Sequence, residues 1–336
     1  IAQIFTVGYK WQYMPIYFLI CLYAVKYTFN FSFSNKLLKI TSGLIIGFTF
    51  IVSFLVIYYL PIPEFSIENK KYSVGYEEIY INIETRPQPL AFVEISNLSE
   101  NTNRELLVDI YYPSNDKTEP NQLFRNTSTN WGKTVINYLN RTWNINLPSY
   151  IFNHLNLSYL DVGVGLDPIN GELPVVIYTH GWSGEKIFAT DQLINIASQG
   201  YIVIAIDHTG LAMFTELPSG TIFNTGSTEA STKVFDVMKE MSLDIQNTLN
   251  HVKNLKYKIN FDDLSIIGHS TGGGSAYLYC QSNKCSTLIL QDPFFVPIIE
   301  EFNNIELNSK TYFIYSQDWY VGNDEENSIS EIEVYR

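Results

Sequence analysis

The chain has 336 residues, enough for one large α/β domain with an appendage. Its 34 Asp and Glu against 21 Lys and Arg leave no basic surface for a phosphate backbone, which argues against nucleic acid as a partner. Three cysteines exclude a disulfide-built scaffold.

The charge is uneven along the chain. Residues 1–63 carry Lys10, Lys26, Lys36 and Lys39 and no acid, so all 34 acids fall in residues 64–336. The first element is an apolar run, Ile40 to Leu60, with no charge in it. As a helix it would be about 31 Å long, the thickness of the hydrocarbon core, and Pro61 and Pro63 end it. It is expected to be a transmembrane helix. Upstream, residues 11–25 are uncharged and aromatic-rich but short, so one or two membrane helices are expected in 1–63. No small-residue cleavage pattern follows residue 60, which favours an uncleaved anchor over a signal peptide. Lys26, Lys36 and Lys39 precede the run; because positive flanks stay cytoplasmic, residues 64–336 should lie on the extracytoplasmic side. Asn97, Asn126, Asn140 and Asn156 begin glycosylation sequons, which chance explains in so Asn-rich a chain. The chain opens on Ile1 and not Met, the mark of a processed or incomplete sequence.

Residues 104–113 alternate like a strand, and residues 114–172 give no periodic signal. From there the punctuation sharpens. "LPVVIYTHGWSG" reads as a buried strand entering a glycine loop, residues 188–199 as a helix stopped by Gly200, and "YIVIAIDHTG" as a second strand and loop. Val234, Val237, Met238, Met241, Ile245, Leu249 and Val252 recur at helical spacing within 231–255. "LSIIGHSTGG" then runs strand, turn, helix, and strands follow at 286–293 and 311–318. Strands alternating with helices predict an α/β fold with a mostly parallel sheet and helices on both faces. Cys280 and Cys285 stand between a helix end and a strand start, a spacing open either to a disulfide outside the cytoplasm or to two thiols.

Gly268-His269-Ser270-Thr271-Gly272 has the form G-x-S-x-G. A nucleophile elbow needs it: the serine sits on a strained strand-to-helix turn, and residues two before and two after it must be small so that strand and helix can approach. Ser270 is therefore the expected nucleophile. Acyl transfer also needs N–H donors for the developing oxyanion; Thr271, after the serine, and Trp182, in the loop after an earlier strand, are in position to supply them. His180 and Gly181 are expected to orient that loop, and His208, at the same sheet edge, to be at most a substrate contact.

Residues 104–320 resemble the α/β-hydrolase superfamily, and within it platelet-activating factor acetylhydrolase and its bacterial relatives. "VDIYYPS", "LPVVIYTHGWSG", "GYIVIAIDHTG", "IIGHSTGGGSA" and "LILQDPFFVPI" carry the resemblance. It implies a catalytic acid a little over twenty residues after the serine, where Asp292 stands. Cutinase-like polyesterases, similar in their "HG" and "GHSxGG" features, carry the acid after the next strand, where Asp318 stands. Either would fix an imidazole tautomer and stabilise imidazolium.

The expected function is that of a membrane-tethered serine hydrolase of carboxylic esters, acting on a small-molecule or lipid ester through an acyl-enzyme, with no metal and no cofactor. The alternatives are a cutinase-type or dienelactone-type hydrolase, a peptidase, or a non-catalytic membrane protein that keeps the fold. Residues 1–63 form the expected anchor and residues 64–336 a hydrolase domain lacking its C-terminal end. The triad order Ser, acid, His puts the base beyond Asp292, yet His154, His180, His208, His251 and His269 all precede Ser270. The catalytic histidine is thus expected outside this chain.

Overall fold

The computed structural model describes residues 11–30, 35–118, 121–122, 131–225, 233–300 and 307–317. Two apolar helices come first, α1 (Met14–Thr28) and α2 (Lys36–Tyr59). The 24 residues of α2 span about 36 Å, enough to cross a membrane by length and composition. Only 6% of its most apolar stretch is buried, so it is not a core helix. The 15 residues of α1 reach about 23 Å, short of the hydrocarbon thickness.

The strands that position the site are β1 (Ser73–Pro87), β2 (Asn103–Ser114), β3 (Leu173–Thr179), β4 (Ile202–Asp207), β7 (Ile259–His269), β8 (Thr287–Gln291) and β9 (Lys310–Ile314). They lie in the order β9-β8-β7-β3-β4-β2-β1, with the short strand Gly163–Val164 on the outer edge of β1. From β9 to β4 every pairing is parallel; β2 runs antiparallel to both β4 and β1. A hairpin outside the sheet pairs β5 (Phe214–Leu217) with β6 (Gly220–Phe223).

The period-2 alternation of a strand divides the core between two layers. Val175 and Ile177 of β3 face one side with Ile204 of β4, packed under α5 (Val234–Val252) and α6 (Thr271–Ser282). Val176, Tyr178, Val203 and Ala205 face the other, under α3 (Trp131–Trp143) and α4 (Thr190–Ser198). Both faces being covered, β3 and β4 are almost wholly apolar, which is why they were legible as continuous runs. Cys280, in α6, and Cys285, just before β8, form a disulfide with a Cα–Cα distance of 5.6 Å.

The structure adds elements to those expected. Residues 64–103 hold the 15-residue strand β1. Residues 114–172, without sequence periodicity, contain α3. The β5–β6 hairpin occupies the segment before α5.

One ionic cluster lies buried in the second layer. Lys186 Nζ lies 2.8 Å from Asp207, 3.5 Å from Glu78 and 3.7 Å from Asp109. Three carboxylates share one ammonium, and burial pushes Glu78 up to about 7 and Asp109 up to about 6. A carboxyl group whose folded pKa is raised keeps its proton in the native state after the unfolded chain has released it. Its contribution is therefore lost as pH rises from its ordinary range to the folded value. Glu78→Gln cannot ionise, so the Tm of this variant relative to the wild type should climb from about pH 5 to about pH 7 and level off above it. A pH-independent difference in thermal melts would refute the assignment.

Candidate active site

Ser270 forms the junction of β7 and α6, with φ 52° and ψ −122°. A side chain in that region costs about 1–3 kcal/mol, and the surroundings hold it there. Ser270 N–H donates to Gln291 O (3.0 Å), while Ser270 O accepts from Gly273 N–H (2.9 Å) and Phe294 N–H (3.0 Å). The flanking glycines have the steric role read from the sequence. A Cβ at Gly268 would lie 2.5 Å from Gly272 O, and one at Gly272 would lie 2.3 Å from Thr179 O and 2.6 Å from His180 O. All of these neighbours are backbone atoms and cannot swing aside. A Cβ at Gly181 would come within 2.8 Å of Ser270 Cβ, so the loop after β3 passes directly over the serine.

That loop, residues 180–186, is tied down along its length. Ser183 N–H donates to Leu211 O, Gly184 O accepts from Met213 N–H, and Lys186 N–H donates to Asp207 Oδ1. His180, 1% exposed, places Nδ1 2.7 Å from Gly181 O and accepts the His208 N–H at Nε2 (3.1 Å). With Nε2 accepting, Nδ1 carries the proton and donates. Burial and the neighbouring His208 bring the His180 pKa down to about 4, so the ring stays neutral in neutral solution. The N–H groups of Trp182 and Thr271 make no hydrogen bond among the described residues.

A cleft of about 480 Å³ opens over Ser270, lined by Trp182, Phe188, Gln192, His269 and Gln291 among others. Gln291 Nε2 donates to Gln192 Oε1 across it (3.2 Å). Phe188, 60% exposed, is an apolar wall that the sequence did not single out. Phe294 and Phe295, by contrast, pack into the core on the α5–α6 side.

Asp292 follows β8 at φ 43°. His269 is in register with Gln291, so Ser270 and Asp292 leave neighbouring parallel strands side by side. Asp292 N–H donates to Ile314 O (2.8 Å), and its Oδ1 accepts from Ser316 N–H (2.6 Å). Asp318 lies outside the described residues.

All five histidines are described, and none hydrogen-bonds to Ser270. His154 is engaged with Ile151 O, and His251 is exposed on α5. His269 lines the cleft, and burial lowers its pKa against the pull of Asp292. His208 departs from expectation: it is fully buried, with Nδ1 2.9 Å from Asp244 Oδ2 and Nε2 2.8 Å from Thr179 Oγ1, so it cannot touch a substrate in the cleft.

A mostly parallel sheet, covered on both faces and turning at the end of β7 into a strained serine turn, is the arrangement of the α/β-hydrolase fold. The ferulic acid esterase of Streptomyces cinnamoneus shares the fold, with a TM-score of 0.57 at 18% identity over 76% of each chain. Residues 71–216 match the family model described as platelet-activating factor acetylhydrolase, isoform II, and residues 164–294 match chlorophyllase. The platelet-activating factor acetylhydrolase of Cavia porcellus is 23% identical over 263 residues, 68% of this chain and 58% of that protein. The chain has the α/β-hydrolase fold and resembles platelet-activating factor acetylhydrolase.

Two substitutions test the elbow in opposite directions. Gly272→Ala drives a methyl into two carbonyl oxygens and should destabilise by about 3 kcal/mol. Ser270→Gly removes the penalty of positive φ and should stabilise by about 1 kcal/mol. Denaturant midpoints measure both; a Ser270→Gly variant less stable than wild type would contradict the strained turn.

Proposed function

We propose that this protein is a serine hydrolase of carboxylic esters with Ser270 as nucleophile. The observation that carries the reading is the strained Ser270, lining the cleft under the Gly181 loop, with the Trp182 and Thr271 N–H groups free of hydrogen bonds among the described residues. Ser270 Oγ attacks the ester carbonyl carbon as its proton passes to an imidazole. Trp182 and Thr271 N–H groups hold the oxyanion, and the alcohol leaves with that proton. Water then releases the acid by the same steps in reverse order, regenerating the serine. Asp292 is the acid that orients the imidazole, and His180 and Gly181 hold the oxyanion loop. The imidazole belongs in this reading to a histidine C-terminal to Arg336, because none of the five present hydrogen-bonds to Ser270 and all precede it, against the order serine, acid, histidine. The resemblance to platelet-activating factor acetylhydrolase supports a short-chain lipid ester as substrate.

In the full-length protein an alkyl fluorophosphonate should label Ser270 alone, and Ser270→Ala should abolish labelling. Asp292→Asn should lower kcat on a p-nitrophenyl ester by about 10³- to 10⁴-fold, the loss that accompanies a misoriented imidazole. Labelling that survives Ser270→Ala would overturn the nucleophile. A larger loss from Asp318→Asn would move the acid, and a native continuation without histidine would refute the base.

Residues 1–63 act in this reading as the membrane anchor of a hydrolase domain at 64–336. The unburied α2 supports this. The Cys280–Cys285 disulfide fits an oxidising compartment, and Lys26, Lys36 and Lys39 fit a cytoplasmic flank. Protease added to intact spheroplasts should digest the chain beyond Pro63. Digestion only after lysis would reverse the orientation.

A further inference from the structure

Behind the loop and the elbow, on the α5 side of the sheet, lies a second acid–imidazole pair that the mechanism above does not use. Asp244 of α5 is fully buried and gripped by Arg104 Nη2 (2.5 Å), Arg104 Nε (3.0 Å) and Arg86 Nη1 (2.6 Å). With two guanidinium groups against it, Asp244 is ionised, and it can only accept from His208 Nδ1 (2.9 Å). The proton of His208 is therefore on Nδ1. Its Nε2 accepts from the Thr179 hydroxyl (2.8 Å).

Two paths run forward from this one ring. The first passes through the His208 backbone, whose N–H donates to His180 Nε2 and thereby fixes the proton of His180 on Nδ1, the atom that donates to Gly181 O. In a trans peptide the C=O and the following N–H point in opposite directions. Fixing Gly181 O therefore aims the Trp182 N–H the other way. The second path passes through Thr179, the last residue of β3. Its Oγ1 lies 3.4 Å from Ser275 Oγ, which donates to Gly272 O (2.9 Å) in the first turn of α6, the turn that begins with Thr271. Thr179 O and His180 O are also the atoms against which Gly272 is packed.

We infer that His208, held by Asp244 and the two arginines, is a positioning residue that sets both halves of the oxyanion site without touching substrate. This rests on the assignment of Ser270, Trp182 and Thr271 above. The wiring predicts a loss specific to the transition state: substrate binds as before, and the tetrahedral oxyanion is held less well.

The test uses the full-length protein and three variants. His208→Asn keeps a donor toward Asp244 but offers nothing to Thr179. Thr179→Val keeps the shape of the side chain and removes its hydroxyl, and Thr179→Ser restores it. Displacing an oxyanion donor slightly is expected to lower kcat on a p-nitrophenyl ester by about 10- to 100-fold with KM changed by no more than about twofold. The fluorophosphonate labelling rate at Ser270 should fall in parallel, and Thr179→Ser should recover to within about threefold of wild type. Thermal melts report folding, and if His208→Asn does not fold, the Thr179→Val and Thr179→Ser pair decides. A folded Thr179→Val with wild-type kcat and labelling rate would overturn the inference and leave the nucleophile assignment standing. Wild-type protein that is not labelled at Ser270 would overturn both. A loss that appears in KM alone, or that Thr179→Ser does not rescue, would reduce His208 to a packing role.

Discussion

The backbone at Ser270 is held at a positive φ because β7 and α6 approach each other more closely than any side chain at 268 or 272 would allow. That approach organises the site. It presses Gly272 against the carbonyls of Thr179 and His180, so the end of β3 and the start of α6 become one contact. It also leaves room for Gly181 to cross over the serine, with no more than 2.8 Å between a Cβ there and Ser270 Cβ. Strain of about 1–3 kcal/mol at one residue is sustained by the sheet around it. Strands β3, β4 and β7, sealed by helices on both faces, give this turn a rigid frame.

The loop above the serine is gripped from two sides by consecutive residues. Asp207 ends β4 and His208 follows it, and the alternation of extended backbone sends them to opposite layers. Asp207 enters the α3–α4 layer and ties the far end of the loop through the Lys186 N–H and ammonium. His208 enters the α5 layer and ties the near end through His180. Lys186 pairs with Asp207, and Arg86 and Arg104 neutralise the Asp244 carboxylate that holds the His208 ring. Buried charges of this kind contribute little net stability once their desolvation is counted, but removing one partner is costly. Their service here is to fix geometry, since each locks a direction of hydrogen bonding that water would leave free.

Much of this was legible in the sequence where the constraint is local. The glycines at 268 and 272 announce the elbow because only the absence of Cβ permits it. The β-branched runs of β3, β4 and β7 announce buried parallel strands because both of their faces are covered. The recurrence from Val234 to Val252 announces α5 because one face packs on the core. What was not legible depends on partners far along the chain. The 15 residues of β1 include acids that interrupt a strand's apolar pattern, and their meaning appears only when β2 pairs with them and Lys186 meets Glu78. His208 was placed at the correct edge of the sheet, but its direction is decided by Asp244, 36 residues away, and by Arg104, 140 residues from Asp244. Phe294 and Phe295 stand beside the acid in sequence and pack toward the core in space, on the side of α5 and α6.

Nucleophile and acid share a device in this reading. Ser270 and Asp292 both stand one residue beyond a strand, on adjacent strands in register, and both have positive φ. In each the backbone fixes the direction of the side chain before any side-chain hydrogen bond forms. Asp292 already spends one carboxylate oxygen on the Ser316 N–H, which orients the group and leaves Oδ2 with no partner among the described residues. In this reading the open Oδ2, on the strand next to that of the serine, suits a neutral imidazole that donates to the acid and accepts from the serine. With serine and acid both fixed by backbone, the imidazole is the one member free to arrive on a separate segment and still find its place. Its loop need only bring it within hydrogen-bond reach, because the two atoms it must join are already aimed.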